Sequence, residues 1–503
     1  MKTFKLQPAS KRMGVQSFLQ RSLMMMAAIM VALVTFVACD SSDDDKNPVE
    51  VESVTINQPA AGVELVAGGS SITLSVTIEP ANATNKAVTW SSSDNTIATV
   101  SSGGVVTGLK PGTVTITATT KSGNKTADFT LTVKPDASVQ PIELKSPITE
   151  NTTLVDLGLD VDYFYAGNNF LIVENNAVLT IEPGVTIRFA HTGKSGGINI
   201  KSGSTITAIG TSSNRIQFIG TNNDKGSWAG IRLESNSDNQ FAYCDFINAG
   251  NSYHSGTAGI YLYNSKAGFA HCKLTNGIGY GFNLASDAVR TSYFSVFTDN
   301  VVEDYEIPMY LTTDNSLKAL EPLDMTSDFT KNKNVYIQVS ANMEENATIN
   351  QTTVPYYFAY AGIAYLGMSN FVLTINEGVT IYMGDGKNIS CSSGRLMING
   401  TATKKVIFTR LPDSGLYNWG TITFDGPGSV IKHCIFEYGG KNDGILNLND
   451  RSNLTLENVE INGSKWYGVR LFSGFKLSHS NVTLKDNLEG NVRYGNNYYD
   501  FLP

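Results

Sequence analysis

The stretch "LTIEPGVTIRF", residues 179–189, returns in nearly the same form as "LTINEGVTIYM", residues 373–383. Three more pairs follow in the same order: "GTSSNRIQF" (210–218) and "GTATKKVIF" (400–408), "SWAGIRL" (227–233) and "NWGTITF" (418–424), "YCDFINAG" (243–250) and "HCIFEYGG" (433–440). The two members of each pair lie 190 to 194 residues apart, which indicates that a large part of the chain is duplicated. An internal period of this kind constrains the architecture more than any single residue does.

Each copy also contains a shorter period of strands. Copy one has "GINIKS", "GIRLES", "GIYLYN" and "GFNLAS", which begin at Gly197, Gly230, Gly259 and Gly281. Copy two has "NISCSS", "GTITFD", "GILNLN" and "GVRLFS". Each reads as a tight turn, a strand of alternating apolar residues and a polar turn, with no helix-period segment between them, so βαβ units are excluded. Short strands that recur in this way bury a continuous core only when they stack as the coils of a solenoid.

The pattern "GxTIxAxGTxxxxIxF", which begins at Gly203 and is followed by "WAGI", resembles β-helix lipoproteins of Bacteroidetes. The repeated strands are similar to the right-handed parallel β-helix of the pectin-lyase type. The resemblance implies an all-β fold in which residues 143–335 form β-helix copy one and residues 336–503 form copy two. Whether the two copies form one continuous solenoid stays open at this point.

Alternation within the strands predicts which side chains point into the core. The expected inward residues of copy one are Ile198, Ile231, Ile260 and Phe282. A second inward row, two residues further along the same strands, consists of Ile200, Leu233, Leu262 and Leu284. Those of copy two are Ile389, Ile422, Ile445 and Val469. The expected outward residues are Asn199, Arg232, Tyr261 and Asn283 in copy one and Ser390, Thr423 and Arg470 in copy two, while "GILNLN" leaves Leu446 and Asn447 as alternatives.

Cysteine and histidine usage gives no sign of a metal or cofactor site. Apart from Cys39, the cysteines are Cys244, Cys272, Cys391 and Cys434. None lies in a CxxC pair, and the five histidines form no HExxH motif, so a zinc site is not predicted. We interpret the four thiols as free, small hydrophobic residues of the solenoid core, although a disulfide is possible in an exported protein.

Residues 51–135 follow a different pattern. The segments "SITLSVTIEP", "GTVTITATT" and "DFTLTVKP" alternate, with turn residues between them, which predicts a small antiparallel β-sandwich. The run from Val88 to Thr120 resembles group-2 bacterial Ig-like domains. The resemblance implies a spacer or adhesive module without catalysis, and residues 136–142 then form a linker. The packing residues that we expect are Trp90, Ala98, Val100, Val105 and Val106.

The N-terminal residues 1–38 combine five basic side chains with an uncharged apolar run from Leu23 to Ala38. That run is shorter than the roughly 20 residues of a membrane-spanning helix, so we interpret residues 1–38 as a signal peptide, with a retained anchor as the alternative. "FVAC" resembles a bacterial lipobox, which implies that Cys39 is the lipidated mature N-terminus in the outer membrane. Residues 39–50 include "DSSDDDK", which resembles an export signal of surface lipoproteins and predicts an acidic tether facing the cell exterior.

The charge of the chain argues against a nucleic-acid partner. The formal net charge is −8, and removal of residues 1–38 leaves 32 basic and 45 acidic side chains. A net negative surface does not attract polyanions through its overall field.

Catalytic chemistry is the main alternative, because folds of the pectin-lyase type often carry polysaccharide lyases or hydrolases. Hydrolases need paired carboxylates on one exposed face, and lyases need a basic residue with a cation or arginine. The expected outward row carries no acid. Asp245 and Lys273 lie on neighbouring strands, but copy two has Ile435 in place of Asp245. We therefore interpret them as a cross-coil ion pair.

Other chemistry-bearing residues also have structural interpretations. His433 and Glu437, four residues apart, are expected to be solvated or locally hydrogen-bonded. Trp228 and Trp419 occupy matching positions, which favours packing anchors over sugar platforms. The aromatic stretches "PYYFAYAGIAYLG" and "YGNNYYDFLP" are interpreted as caps or packing, with sugar platforms as the alternative.

The sequence thus favours a surface lipoprotein that binds glycans or a surface partner without catalysis. No catalytic, metal or cofactor residue is assigned, and the ligand-binding residues stay unknown. The alternatives are a polysaccharide lyase or glycoside hydrolase of the same fold, and a structural spacer.

Overall fold

The computed structural model describes residues 48–57, 59, 65–189, 196–250, 258–287, 291–312, 315–340, 343, 345–359, 370–412, 419–426 and 428–502. Within these ranges every regular element is a β-strand except one 3-10 helix at Leu317–Leu320, so the expected all-β fold is confirmed. None of the described segments forms a helix that is long and apolar enough to cross a membrane. The expected signal peptide, Cys39 and most of the acidic tether lie outside the described residues.

The N-terminal strands form an Ig-like sandwich. Its strands are β1 (Ser53–Asn57), β2 (Leu65–Val66), β3 (Ile72–Thr73), β4 (Ser75–Glu79), β5 (Val88–Ser92), β6 (Ala98–Val100), β7 (Val105–Gly108), β8 (Gly112–Thr120) and β9 (Thr126–Lys134). The sheet β2-β9-β8-β5 packs against β3-β7-β6 and the β1-β4 pair. Ala98 and Val106 are fully buried, and Trp90 packs at the edge of the same core. The expectation that Val105 is a packing residue is wrong, because alternation along β7 turns it outward and leaves it 38% exposed.

The first copy of the duplication forms β10 to β28. These strands are β10 (Ile142–Glu143), β11 (Thr152–Leu154), β12 (Tyr163–Tyr165), β13 (Leu171–Val173), β14 (Val178–Ile181), β15 (Thr186–Phe189), β16 (Ile198–Ile200), β17 (Thr205–Ile209), β18 (Ile216–Gly220), β19 (Ile231–Leu233), β20 (Asp238–Ala242), β21 (Cys244–Ile247), β22 (Ala258–Tyr263), β23 (Lys266–Ala270), β24 (Lys273–Thr275), β25 (Tyr280–Ala285), β26 (Tyr293–Thr298), β27 (Val301–Glu303) and β28 (Ile307–Leu311).

The second copy forms β29 to β44. These strands are β29 (Ile337–Val339), β30 (Ala347–Ile349), β31 (Tyr356–Phe358), β32 (Val372–Asn376), β33 (Thr380–Met383), β34 (Ile389–Cys391), β35 (Arg395–Asn399), β36 (Val406–Arg410), β37 (Ile422–Phe424), β38 (Ser429–Glu437), β39 (Leu446–Leu448), β40 (Asn453–Asn462), β41 (Tyr467–Leu471), β42 (Lys476–Lys485), β43 (Gly490–Tyr494) and β44 (Asn497–Tyr499).

The two copies build a parallel β-solenoid of about 11 turns. Three sheets run along copy one, in the orders β10-β12-β15-β18-β21-β24-β27, β11-β14-β17-β20-β23-β26 and β13-β16-β19-β22-β25-β28. Each coil therefore gives one strand to each sheet, as expected for stacked repeats. At the C-terminal end β44 pairs antiparallel with β43, so part of the stretch "YGNNYYDFLP" adds a last strand to a sheet.

The two copies form one continuous solenoid, because β28 pairs in parallel with β29. The register joins Met309 to Ile337, Tyr310 to Gln338 and Leu311 to Val339. The third sheet of copy one thereby extends into copy two as one sheet of 16 strands, which we call the through-sheet.

Equivalent strands of the two copies do not keep the same sheet assignment. The duplicated segments place β15 of copy one at the position of β33 of copy two. β15 lies in the first sheet of copy one, whereas β33 lies in the through-sheet, which continues the third sheet. The equivalent strands β15 and β33 therefore take different positions around the solenoid.

The expected inward rows are confirmed with one correction. All eight expected core residues of copy one are at most 1% exposed, and Ile389, Ile422 and Val469 are equally buried. In copy two Leu446, not Ile445, pairs with Ile422 and Val469, so Asn447 takes the outward position. Ile445 is nevertheless buried, just before the strand. The four cysteines Cys244, Cys272, Cys391 and Cys434 are free and buried, as interpreted from the sequence.

Candidate functional site

The outer side of the through-sheet carries a continuous row of aromatic and amide side chains across the junction of the two copies. Successive cross-strand partners in this row, which we call the outer row, are Tyr261, Asn283, Tyr310, Gln338, Tyr357 and Tyr382. Each follows from strand alternation, because the neighbours of each row residue point inward. Met309 and Leu311, for example, are fully buried on either side of Tyr310.

Further tyrosines pack beside the outer row. Tyr280 stacks on Tyr310 with ring centroids 4.9 Å apart, and Tyr336 meets Tyr357 edge-on at the same centroid distance. Tyr263 stacks parallel to Tyr261 at 6.4 Å. We call the four row tyrosines and these three neighbours the tyrosine face. All seven rings are partly buried, so their positions are fixed by packing while part of each stays accessible.

The surroundings of the tyrosine face are electrically balanced. Glu306, near Tyr280 and Tyr336, pairs with Lys333 at 3.0 Å, and Asp385, near Tyr357, pairs with Lys441 at 2.6 Å. The outer row itself contains no charged residue. Burial raises the pKa of five of the seven tyrosines, which are Tyr261, Tyr280, Tyr336, Tyr357 and Tyr382. Burial therefore favours the neutral form of these five side chains.

One end of the face adjoins a small charged cluster. Arg232, the next residue up the row from Tyr261, lies over the Tyr261 ring at 4.9 Å and forms an ion pair with Glu234. Lys201 also binds Glu234, at 2.6 Å. Burial works against ionisation of Glu234, but Lys201 and Arg232 outweigh it and hold the pKa of Glu234 below its usual range. This carboxylate is thus ionised and paired.

The predicted partner of Asp245 is wrong. Lys273 is the cross-strand neighbour of Asp245, but it is exposed, and the Asp245 carboxylate binds Arg215 instead. Arg215 donates from Nε at 2.9 and 3.0 Å and from a terminal nitrogen at 2.7 Å. It also donates to the carbonyl of His271 at 2.8 Å, so the pair spans three coils. Sequence reasoning missed Arg215 because it precedes its strand rather than lying within it.

The Arg215–Asp245 pair lies in a cleft of about 510 Å³ between the solenoid and the Ig-like turn at Lys110–Gly112. Lys110 Nζ donates to Asp156 Oδ2 at 2.9 Å across this cleft. Both cations of the cleft are thus bound to carboxylates. These two ion pairs suit a contact between the Ig-like region and the solenoid, and the exposed Asp160 is a further acid of the cleft.

The remaining sequence candidates have structural roles. His433 approaches the Asn458 amide at 3.4 Å, and no contact joins its ring to the Glu437 side chain among the described interactions. Trp228 and Trp419 are fully buried, and their indole N–H groups donate to the carbonyls of Ile247 and Glu437 at 2.7 and 2.8 Å. These two tryptophans are packing anchors at equivalent places, as interpreted from the sequence.

The described part of the stretch "PYYFAYAGIAYLG" has side chains on both sides of its strand. Tyr356 and Phe358 point into the core, whereas Tyr357 belongs to the tyrosine face. Residues 360–369 lie outside the described residues. In the part of the chain that the structure describes, no group of three or more His, Cys, Asp or Glu side chains could hold a metal ion.

Comparisons with known proteins identify the two architectural regions. Residues 50–140 match a family model for the bacterial Ig-like domain (group 2), and residues 149–257 match one for a pectate-lyase like beta helix domain. The chain is 44% identical over 94 residues to an alpha-L-arabinofuranosidase of Bifidobacterium longum, covering 17% of this chain and 9% of that protein. It is 44% identical over 86 residues to an Ig-like virion protein of Serratia phage KSP90, covering 17% of this chain and 32% of that one.

A third relative is the kappa-carrageenase of Pseudoalteromonas carrageenovora, 44% identical over 85 residues, which are 17% of this chain and 21% of that enzyme. The chain thus spans less than a third of the length of each of these relatives. The fold and the two family models agree on an N-terminal Ig-like region followed by a β-solenoid similar to pectate-lyase-like β-helices.

Proposed function

We propose that this protein binds glycans without cleaving them, through the tyrosine face of its solenoid. The observation that carries the proposal is the continuous set of seven packed, partly accessible tyrosines across the junction of the two copies. Aromatic rings offer an apolar surface for the C–H faces of sugars, and tyrosine hydroxyls offer hydrogen bonds at the edge. Rings that are already held by packing lose little conformational entropy on binding.

Four carboxylates of the described residues lack the features of a glycosidase acid, which supports binding over catalysis. A glycosidase needs one protonated acid with a raised pKa and a second carboxylate nearby. Asp245, Glu234 and Asp443 are engaged by basic partners, Asp443 by Arg470 at 2.6 Å. Burial raises the pKa of Asp162, but that side chain is enclosed and accepts backbone N–H bonds from Leu157, Leu159 and Thr186.

We also propose that the protein is a lipoprotein anchored in the outer membrane through Cys39 and facing the cell exterior. This proposal rests on the lipobox resemblance of "FVAC" and on the acidic segment that follows it. The Ig-like region would then hold the solenoid away from the membrane. The solenoid would bind a polysaccharide or a surface protein. The names of two relatives, an arabinofuranosidase and a carrageenase, are in keeping with a setting rich in glycans.

A glycan array probed with the purified chain, followed by product analysis of every glycan that binds, tests the proposal. We expect retention of glycans without new reducing or unsaturated ends, and loss of retention for Tyr357→Ala. Tyr293→Ala is the matched control, because Tyr293 is 41% exposed on a different sheet. Release of sugar products that stops with Asp245→Asn would instead establish the lyase or hydrolase alternative.

A further inference from the structure

The outer row alternates between aromatic and amide side chains. From the N-terminal end it reads Tyr261, Asn283, Tyr310, Gln338, Tyr357, and it closes with Tyr382. Neighbouring strands of a sheet lie about 4.8 Å apart, so tyrosines on every second strand recur at about 10 Å along the solenoid axis. Neither copy contains this alternation by itself, because the row crosses from β28 to β29.

A period of two strands matches the geometry of an extended β-linked hexose chain. In such a chain consecutive sugar rings are turned over relative to each other, so the same face recurs at every second sugar. One sugar per coil would place every second ring on a tyrosine and leave the intervening hydroxyls beside Asn283 and Gln338. The terminal Tyr382 breaks the alternation and ends the row with a second consecutive ring.

The charge around the row selects the chemical class of the ligand. The row from Tyr261 to Tyr382 has no charged side chain, and Arg232, the cation over its Tyr261 end, is already paired with Glu234. The acids Glu306 and Asp385 beside the row are paired with lysines, so these groups leave no unpaired cation for a uronic acid or sulfate. The Asn283 side chain is only 2% exposed, so this position is the covered floor of the row between Tyr261 and Tyr310. Gln338 is partly exposed, so it is the amide of the row that a sugar hydroxyl can reach.

We propose that the outer row binds a single extended, uncharged, β-linked glycan chain parallel to the solenoid axis, with alternate sugars on Tyr261, Tyr310 and Tyr357. This inference rests on the proposed glycan-binding function. It specifies the class of glycan and the direction in which the bound chain runs along the solenoid. Gln338 then discriminates hydroxyl orientation, and the tyrosines supply most of the affinity.

Calorimetry with β-1,4-linked gluco-oligosaccharides of increasing length tests this inference on the full chain. Affinity should rise with each added sugar until the six positions of the row are filled and then level off. α-1,4-Linked oligosaccharides, which coil, and polygalacturonate, which is charged, should bind at least about tenfold more weakly. Tyr310→Ala should weaken binding of the long β-1,4 chain by at least about tenfold, the range of an interface hot spot.

Two further variants keep the test decisive. Tyr310→Phe preserves the ring and should retain most of the affinity even if Tyr310→Ala folds poorly. Tyr293→Ala, on another sheet, should bind like the unchanged chain. Equal affinity for disaccharide and hexasaccharide, or preference for the charged polymer, would overturn this inference while leaving glycan binding intact. Absence of binding to every glycan would overturn the proposed function as well.

Discussion

At the scale of the residue, neighbouring positions on a strand have opposite environments. Ile231 is 1% exposed inside the solenoid, and Arg232, the next residue, lies on the surface with its guanidinium over Tyr261. A shift of one residue exchanges the two faces of a strand. Burial of a charge at an inward position costs far more than loss of a surface ion pair, because no water or partner compensates it.

We expect Ile231→Asp to lower the free energy of unfolding by more than about 3 kcal/mol, because it places a carboxylate in the packed core. Arg232→Gln should cost clearly less, because it buries no charge and leaves Glu234 paired with Lys201. Denaturant unfolding of both variants measures the difference. Equal losses would contradict the strand phase on which the solenoid core is built.

The Arg215–Asp245 pair makes a second prediction at this scale. Asp245→Asn should cost about 1–3 kcal/mol, because it weakens a charge-assisted pair whose side chains are only 21% and 16% exposed. Lys273→Ala should leave stability unchanged within about 0.5 kcal/mol, because Lys273 is exposed. Comparison of the two melting curves checks the assignment, and a larger effect of Lys273→Ala would restore the pairing expected from the sequence.

At the scale of the element, the strands of the through-sheet combine an apolar inner side with a tyrosine-rich outer side. The alternation in "GIYLYN" predicted an outward Tyr261 between the buried Ile260 and Leu262. The row itself could not be predicted, because residues 312–336 between the copies carry no repeated motif that fixes which strands of copy two stack on the third sheet of copy one. Sequence reasoning compared equivalent strands, whereas the row joins non-equivalent ones.

The half-buried tyrosines of these strands predict a loss of stability in alkali. Burial raises the pKa of Tyr280 and Tyr336 in the folded protein, while in the unfolded chain tyrosine ionises near pH 10. Above about pH 10 the folded state therefore holds more protons than the unfolded state, and the free energy of unfolding falls as pH rises.

Urea unfolding at about pH 9 and about pH 11 measures this slope. The double variant Tyr280→Phe with Tyr336→Phe should show a shallower fall, because phenylalanine does not ionise in either state. An unchanged slope in the double variant would show that the alkaline effect originates elsewhere, for example in the fully buried Tyr305 or Tyr356.

At the scale of the whole molecule, the two copies form one solenoid, and strands of both copies contribute to the tyrosine face. The sequence predicted the coil architecture, the Ig-like region and nearly all inward residues, because alternation and period express packing directly. It did not predict the junction pairing of β28 with β29 or the contact between Lys110 and Asp156, because contacts between distant segments leave no local pattern.

The proposed anchoring makes a prediction at this scale. Cys39→Ser should abolish lipid labelling in the native host and release the protein into the soluble fraction, because a thiol is the only site for the anchor in the lipobox reading. Metabolic labelling with a lipid precursor and membrane fractionation measure both effects. A Cys39→Ser protein that is still labelled and membrane-bound would contradict the lipobox interpretation. Cys391→Ser, at a buried core position, is the control and should remain labelled.

The parallel pairing of coil upon coil has a mechanical consequence. The hydrogen bonds between parallel strands are slanted but run mainly along the solenoid axis, so a pull along that axis opens them one coil at a time from an end. Each opened coil can lengthen by up to about 3.3–3.6 Å per residue, far more than the spacing that it occupied in the stack. The tyrosine face lies on β22 to β33, in the middle of the solenoid, so terminal coils would unwind and absorb work while the central coils kept their shape.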